Sequence, residues 1–239
     1  MANVIAIVPV RSGSTELPNK NIRSILGRTL LEHNIRLLKQ SSTLNRIIVS
    51  TDSEQYADIA RKAGAEAPFL RPSVLSQKYS STEDVLSHCL NWLKENQGES
   101  VDIVVFQQVN DLFKRAEWID MCVSFLIDNP DYDSAFVAKI EEKNFWYEDE
   151  TGSFKRLSNF GHTPRQLKKK IYREDTGLAC ATRPHIILDQ GRRLGDKVKI
   201  FPHKDFTVDI HNEFDLNLAR VVVDHFPEVR SLIDPGSEK

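Results

Sequence analysis

Apolar positions along this chain follow two rhythms, one suited to strands and one to helices. Val4–Val10 (VIAIVPV) is an unbroken apolar, largely β-branched run that stops at Arg11. Such a run predicts a strand buried on both faces, as in a parallel sheet. Thr29 to Lys39 (TLLEHNIRLLK) spaces its leucines and isoleucine for an amphipathic helix. Arg46 to Ser50 (RIIVS) predicts a second buried strand. Thr51, Asp52 and Ser53 are helix-capping types that open a helix over Glu54 to Ala63, and Gly64 sits where it would stop. Glu83 to Asn96 places Val85, Leu86, Cys89, Leu90 and Leu93 on one helical face, and Val101 to Gln107 is the next strong strand. Ala116 to Asp128 then predicts a helix and Ser134 to Ile140 a strand. Further on come a strand over Gly177 to Thr182, a short helix over Arg183 to Leu188, an edge strand at Lys199 to Pro202 and a last helix from Leu216 to Val223. The alternation predicts an α/β fold in three layers, doubly wound about a mostly parallel sheet with right-handed crossovers.

Two stretches break the rhythm. Pro68 and Pro72 bracket Phe69 to Arg71, giving a rigid extended segment unsuited to a central strand. From Glu141 to Arg173 charge is dense, and Phe145, Trp146 and Tyr147 precede a turn-like Asp149 to Ser153. That region predicts a β-rich excursion inserted in one domain spanning the whole chain, since neither an internal repeat nor a low-complexity linker divides it. Ile233 to Lys239 is a polar tail.

Bulk properties narrow the class. The chain has 239 residues, 40% hydrophobic and 28% charged, with a formal net charge of −2; the pI near 6.4 argues against a nucleic-acid scaffold. No apolar run approaches a membrane span. Cys89, Cys122 and Cys180 have no metal-type spacing and cannot all pair, so they read as reduced, buried thiols. With a strand beginning almost at once and no signal-peptide pattern ahead of it, the expectation is a soluble cytoplasmic protein.

Candidate chemistry begins where the first strand ends. Arg11, Ser12, Gly13, Ser14 and Thr15 leave its carboxyl end, the edge at which open α/β sheets bind ligands. Gly13 permits close backbone approach, and successive N–H groups of small residues can form an anion nest. Arg11 and Lys20 bracket that nest with positive charge, which suits a polyphosphate. A plain polar surface loop is the competing reading. The phosphate-binding pattern G-x-x-x-x-G-K-[ST] is absent.

The spelling R-x-G-S-T-x-L-P-x-K-N, from Arg11 to Asn21, resembles the signature loop of the cytidylyltransferases that activate acylneuraminate (sialic-acid-like) and Kdo-like 2-keto acid sugars. Further words follow in the family's order: S-T-D at Ser50 to Asp52, R-P-x-x-L at Arg71 to Leu75, a strand ending in Gln107, Arg165-Gln166, Tyr172 to Gly177, and D-I-x-x-x-x-D from Asp209 to Asp215. The resemblance implies a Rossmann-like nucleotidyltransferase that moves CMP from CTP to an acidic 2-keto sugar and releases pyrophosphate. It implies nucleotide contacts from Arg11, Ser12, Gly13, Ser14, Lys20 and Asn21, with Arg71, Ser80 and Ser81 near the base. Gln107, Arg165, Gln166 and Tyr172 would meet the sugar. Asp209 and His211 would hold Mg²⁺, and Arg11, Lys20 and Asp209 would carry the catalysis. It also implies a homodimer built through residues 141–173, and no nucleic-acid or membrane partner. Plainer roles stand beside these: Arg71 as a loop arginine, Ser80 and Ser81 as helix caps, 141–173 as a surface hairpin, and Asp215 as a capping acid.

The chain departs from the family at three places. The words L-Q-P-T-S-P-L-R become F-Q-Q-V-N-D-L-F-K, so Gln108, Val109, Asn110 and Asp111 replace the prolines and the T-S pair. The second metal position is His211, an imidazole that suits Mn²⁺ better than Mg²⁺. In the first loop, Thr15 and Glu16 stand where sialate- and Kdo-type enzymes respectively carry a cation. These losses leave two alternatives: a non-catalytic nucleotide- or sugar-binding relative, or an enzyme with another donor such as GTP.

Overall fold

Strand β1 (Val4–Val10) is the centre of the molecule. Its alternate residues feed two cores, because successive strand side chains point to opposite faces. Val4, Ala6, Val8 and Val10 enter one core, and Ile5 and Ile7 enter the other. All six are at most 1% exposed, each contributing about 1–3 kcal/mol of burial at the scale for aliphatic side chains. A computed structural model describes residues 2–14, 16–157, 164, 167 and 169–234.

In chain order, β2 (Ser24–Ile25) and β3 (Arg28–Thr29) form a small hairpin before α1 (Leu30–Leu38). Then come β4 (Arg46–Thr51), α2 (Glu54–Ala63), α3 (Thr82–Gln97), β5 (Ile103–Phe106), β6 (Asp111–Leu112) and α4 (Ala116–Asp128). They are followed by β7 (Ser134–Glu141), β8 (Trp146–Glu148), β9 (Phe154–Arg156), β10 (Ile171–Glu174), β11 (Cys180–Thr182) and α5 (Pro184–Leu188). The chain continues through β12 (Val198–His203), β13 (Val208–Asp209), α6 (Glu213–His225) and α7 (Pro227–Ile233).

The main sheet has seven strands, ordered β10-β7-β11-β5-β1-β4 with β12 on the other side of β7. β4, β1, β5, β7 and β12 run one way, while β10 and β11 run against them. Helices α1, α2, α4 and α6 supply Leu31, Tyr56, Ile119 and Leu216 to one core. Helices α3 and α5 supply Leu86, Leu90 and Ile187 to the other, completing the three layers. Among the described residues, no helix is long and apolar enough to cross a membrane.

Local chemistry explains most boundaries. Thr29 and Glu32 form a reciprocal capping box on α1. Gly64 ends α2 in the left-handed region at φ 94°, where a side chain is disfavoured. Three boundaries differ from expectation. The strand expected from Gly177 begins only at Cys180, because Leu178 N donates to Asp175 O at 3.0 Å and closes a turn. The inserted segment is shorter than 141–173: β8 and β9 form a separate hairpin, but Ile171–Glu174 returns to pair with β7. Finally, the last expected helix runs on to His225, and Pro227, suited to a first helical turn, starts α7.

Candidate active site

The first loop leaves β1 beside the carboxyl end of β4, and Asp52 fastens the two. Its Oδ1 accepts from Ser12 N at 2.8 Å, and its Oδ2 accepts from Ser12 Oγ at 3.3 Å. Ser14 N donates back to Ser12 O at 3.2 Å. The nest expected from successive free amides is therefore partly committed to the loop's own structure. Gly13 is exposed, with open space where a side chain would begin. Asn21 Nδ2 donates to Arg11 O at 3.1 Å, so Asn21 clamps the loop base. Arg11 and Lys20 supply the positive charge. Burial lowers the Lys20 pKa, and Asp209 and Glu16 pull it back toward the charged form.

Arg11 lines two adjoining hollows. One, of about 170 Å³, is walled by Arg11, Ser14, Lys20, Asn21, Gln108 and Asn110, among others. The other, of about 220 Å³, is walled by Arg11, Arg71, Gln77, Ser80, Ser81 and Val85, among others. Arg11 Nη1 donates to Gln77 O at 3.2 Å, which places its guanidinium between them.

Arg71 is not a loop arginine in solvent; it is 6% exposed. Its backbone N donates to Thr51 O at 2.7 Å, and its Nε donates to Ser76 Oγ at 3.2 Å. Nη2 is buried with no hydrogen-bond partner among the described residues. Burial lowers its pKa, opposed by Asp52. A buried guanidinium nitrogen without an acceptor is costly unless a ligand supplies one. Ser81 caps α3 by accepting from Asp84 N at 3.0 Å. Ser80 Oγ donates to Val74 O at 3.0 Å and accepts from Gln77 N at 3.2 Å. Ser81 thus takes the capping role and Ser80 ties the preceding loop instead of capping, while both line the second hollow.

The sugar-side expectations fare unevenly. Gln107 is completely buried, its Nε2 donating to Leu178 O at 3.0 Å and its Oε1 accepting from Lys114 at 3.1 Å. It lies beneath the cleft floor rather than in the cleft. Its neighbours Gln108, Val109 and Asn110 form the surface there. Tyr172 is exposed on β10 and lines neither hollow. Arg165 and Gln166 lie outside the described residues.

Asp209 ends β13, which pairs antiparallel with β6 so that Asp209 faces Asp111. Asn110 Nδ2 donates to Asp209 Oδ1. His211 Nε2 lies 2.7 Å from Asp209 Oδ2, and its Nδ1 is 4.0 Å from Glu16 Oε2. Glu16 and His211, the acid of the loop and the imidazole expected to hold a metal, therefore face each other. Asp215 takes the capping role: its Oδ2 accepts from Asn212 N at 3.0 Å, and its own N donates to Asn212 Oδ1 at 3.1 Å. Burial pushes the Asp111 carboxyl pKa up, with Asp209 and Asp175 adding repulsion and Lys114 opposing. Sequence reasoning passed over Asp52, Asn110, Asp111 and Lys114. Only the acid in S-T-D carries a signal, and on sequence it reads as a helix cap; the other three lie in the segment 107–114, where no local pattern marks a site.

A nucleotidyltransferase-type α/β sheet with a basic cleft at its strand ends defines the class. Residues 5–160 match the Cytidylyltransferase family, and the chain belongs to it. A stretch of 118 residues is 38% identical to CMP-N,N'-diacetyllegionaminic acid synthase of Legionella pneumophila, covering 48% of this chain and 50% of that protein. Another of 94 residues is 35% identical to pseudaminic acid cytidylyltransferase of Campylobacter jejuni, covering 39% of this chain and 40% of that protein. A third of 88 residues is 41% identical to N-acylneuraminate cytidylyltransferase of Escherichia coli O18:K1:H7, covering 37% of this chain and 21% of that protein. These matches span half or less of each relative's length. The solved structure of CMP:2-keto-3-deoxy-manno-octonic acid synthetase complexed with CTP shares the fold, with a TM-score of 0.72 at 15% identity over 93% of this chain and 99% of that one.

Proposed function

We propose that this cleft transfers CMP from CTP to an acidic 2-keto sugar of the nonulosonate type, releasing pyrophosphate. The observation that carries it is the placement of three cations. Arg11 stands between two hollows, with Lys20 on one side and, on the other, the Nη2 of Arg71, which has no partner among the described residues. That array fits a triphosphate joined to a base that accepts a hydrogen bond. The relatives named for legionaminic, pseudaminic and neuraminic acids support the choice of donor and acceptor class.

In the proposed reaction the sugar's anomeric hydroxyl attacks the α-phosphorus in line. An O–P bond forms, the bond to the pyrophosphate oxygen breaks, and the hydroxyl proton passes to solvent. Arg11 and Lys20 stabilise the charge that grows on the phosphate oxygens, an effect strongest where the groups are fixed beforehand. Gln108 and Asn110 line the side where the acceptor would lie, and holding it there supplies the entropic part of the rate.

Asp209, with one carboxylate, and His211, with one ring nitrogen, fit a divalent ion of the Mg²⁺ or Mn²⁺ kind, the imidazole favouring Mn²⁺. Among the described residues no group of three or more such side chains is arranged around one point, so phosphates and water would complete the shell. Bound there, the ion would neutralise phosphate charge. Exposed Trp146, Tyr147 and Phe154 on the β8–β9 hairpin support a second copy of the chain as partner.

The pairing of His211 with Asp209 favours a second reading, a relative that binds nucleotide without turning it over. Calorimetry separates the two. CTP binding strengthened by Mg²⁺ or Mn²⁺, with that gain lost in Asp209→Ala, supports the transferase; CTP binding indifferent to metal in both proteins supports the binder.

A further inference from the structure

Lys114 is 4% exposed, an unusual place for an ammonium. Its Nζ donates to Gln107 Oε1 at 3.1 Å, to Gln108 O, and to Gly177 O at 3.3 Å. Three protons thus meet three uncharged oxygens, and among the described residues it has no contact ion pair. Desolvating an ammonium costs several kcal/mol, and neutral acceptors return only part of that. The core itself gains little from such an arrangement. What Lys114 does achieve is a junction of two chain segments.

Both segments border the cleft. Gln108 N donates to Gly177 O at 3.3 Å, and Gln107 Nε2 donates to Leu178 O at 3.0 Å. Gly177 packs so closely that a Cβ there would overlap Asp111 Oδ2 and Gln108 Oε1. From this knot Gln108, Val109 and Asn110 emerge as the floor of the hollow next to Lys20. Asn110 then reaches the last strand, accepting from Ile210 N at 2.9 Å. The floor segment from Gln108 to Asp111 contains no proline. Without a ring to restrict φ, the segment needs another constraint to hold one conformation.

We propose that Lys114 is a positioning residue whose three hydrogen bonds lock the Gln108–Asn110 floor against the 176–178 turn, preforming the acceptor-sugar half of the cleft. The proposal rests, for its acceptor, on the CMP-transfer reading above; the locking itself does not. The nucleotide half is built by Arg11, Lys20, Arg71 and the start of α3; Lys20 shares its hollow with the floor, but none of these groups bonds to Lys114. Loosening the floor therefore separates the two substrates.

The test uses Lys114→Met, which keeps length and removes the charge and donors. Gly177→Ala is the second variant, disturbing the same floor with Lys114 intact. Three quantities are measured in the full chain: amide hydrogen exchange, CTP affinity by calorimetry, and steady-state KM for the acceptor, with an N-acylneuraminate and other acidic 2-keto sugars as the probes. The expected result is faster exchange confined to residues 107–111 and 176–178, CTP affinity held within about threefold, and acceptor KM raised about tenfold or more in both variants, a factor of ten corresponding to about 1.4 kcal/mol. Unchanged exchange in those segments overturns the lock. Equal weakening of CTP and acceptor overturns the division of the cleft. If Lys114→Met does not fold, an unchanged acceptor KM in Gly177→Ala overturns the proposal alone. If the wild type turns over no acceptor, the transferase reading fails, while the exchange pattern still decides the lock.

Discussion

Asp52 and Arg71 act at the residue scale through bonds that join distant parts of the chain. Replacing Asp52 with Ala leaves Ser12 N without its acceptor and frees the first loop. The expected cost is about 1–3 kcal/mol of stability, the scale for an unsatisfied polar group, together with weaker CTP binding; a denaturant melt and calorimetry check the two. Arg71→Gln removes the donor nitrogen that has no partner among the described residues. CTP affinity should fall roughly 10–100-fold, the scale of a lost hydrogen bond to a charged group, with little change in melting temperature. Unaltered CTP affinity would remove Arg71 from the nucleotide site. The juxtaposition of Arg11 and Lys20 is legible in the sequence because the loop's chemistry is local, whereas Gly13, expected to let a ligand approach, lines neither hollow. The burial of Arg71 was not, since it depends on bonds to Thr51 and Ser76. Gln107 misled for the opposite reason: its position in a familiar word placed it in the cleft, while Lys114 and Leu178 take up its amide beneath the floor.

At the element scale, caps and periodicity made most helices and strands readable. β1 was plain because every residue agreed on one pattern, and α2 because Gly64 marked its end. β6 and β13 were invisible, since two-residue strands carry no period and exist here only through each other. α7 was missed because Pro227 looks like a stop when it is in fact a start. The contact between α4 and the loop after α1 is equally unreadable and makes a clear prediction. Asp120 accepts from Ser42 N at 3.1 Å, Ser42 Oγ at 2.9 Å and Thr43 Oγ1 at 2.7 Å. Burial alone would raise its pKa, but the bonds from Ser41, Ser42 and Thr43 outweigh it and lower the pKa. A carboxylate lowered on folding stabilises the fold above its unfolded pKa, near 3.9, and that stability fades as pH falls through the lower folded value. Asp120→Asn should therefore lower stability at pH 7 by about 1–3 kcal/mol and flatten the acid side of the stability profile. Parallel acid profiles in wild type and variant would refute the linkage.

For the whole molecule, the sheet gathers the ends of β1, β4 and β5 at one edge, and β13 returns there from the far end of the chain to face β6. This arrangement puts Asp209 beside a loop almost two hundred residues away in sequence, as the Arg23–Glu213 ion pair at 2.7 Å also shows. The hairpin of β8 and β9 stands off the main sheet with Trp146 55% and Phe154 69% exposed. Replacing both with Ser should shift the chain from dimer to monomer in light scattering, and a wild type that is already monomeric would dismiss the partner copy. CMP transfer itself is read by pyrophosphate release from CTP, with GTP in parallel, across a panel of acidic 2-keto sugars and with Mg²⁺ or Mn²⁺. The expected result is release that requires the sugar, prefers CTP, yields a CMP-sugar in equal amount, and falls about 10²–10³-fold in Asp209→Ala, the scale for losing one fixed electrostatic group. No release with any sugar, from a protein that still binds CTP, would contradict it.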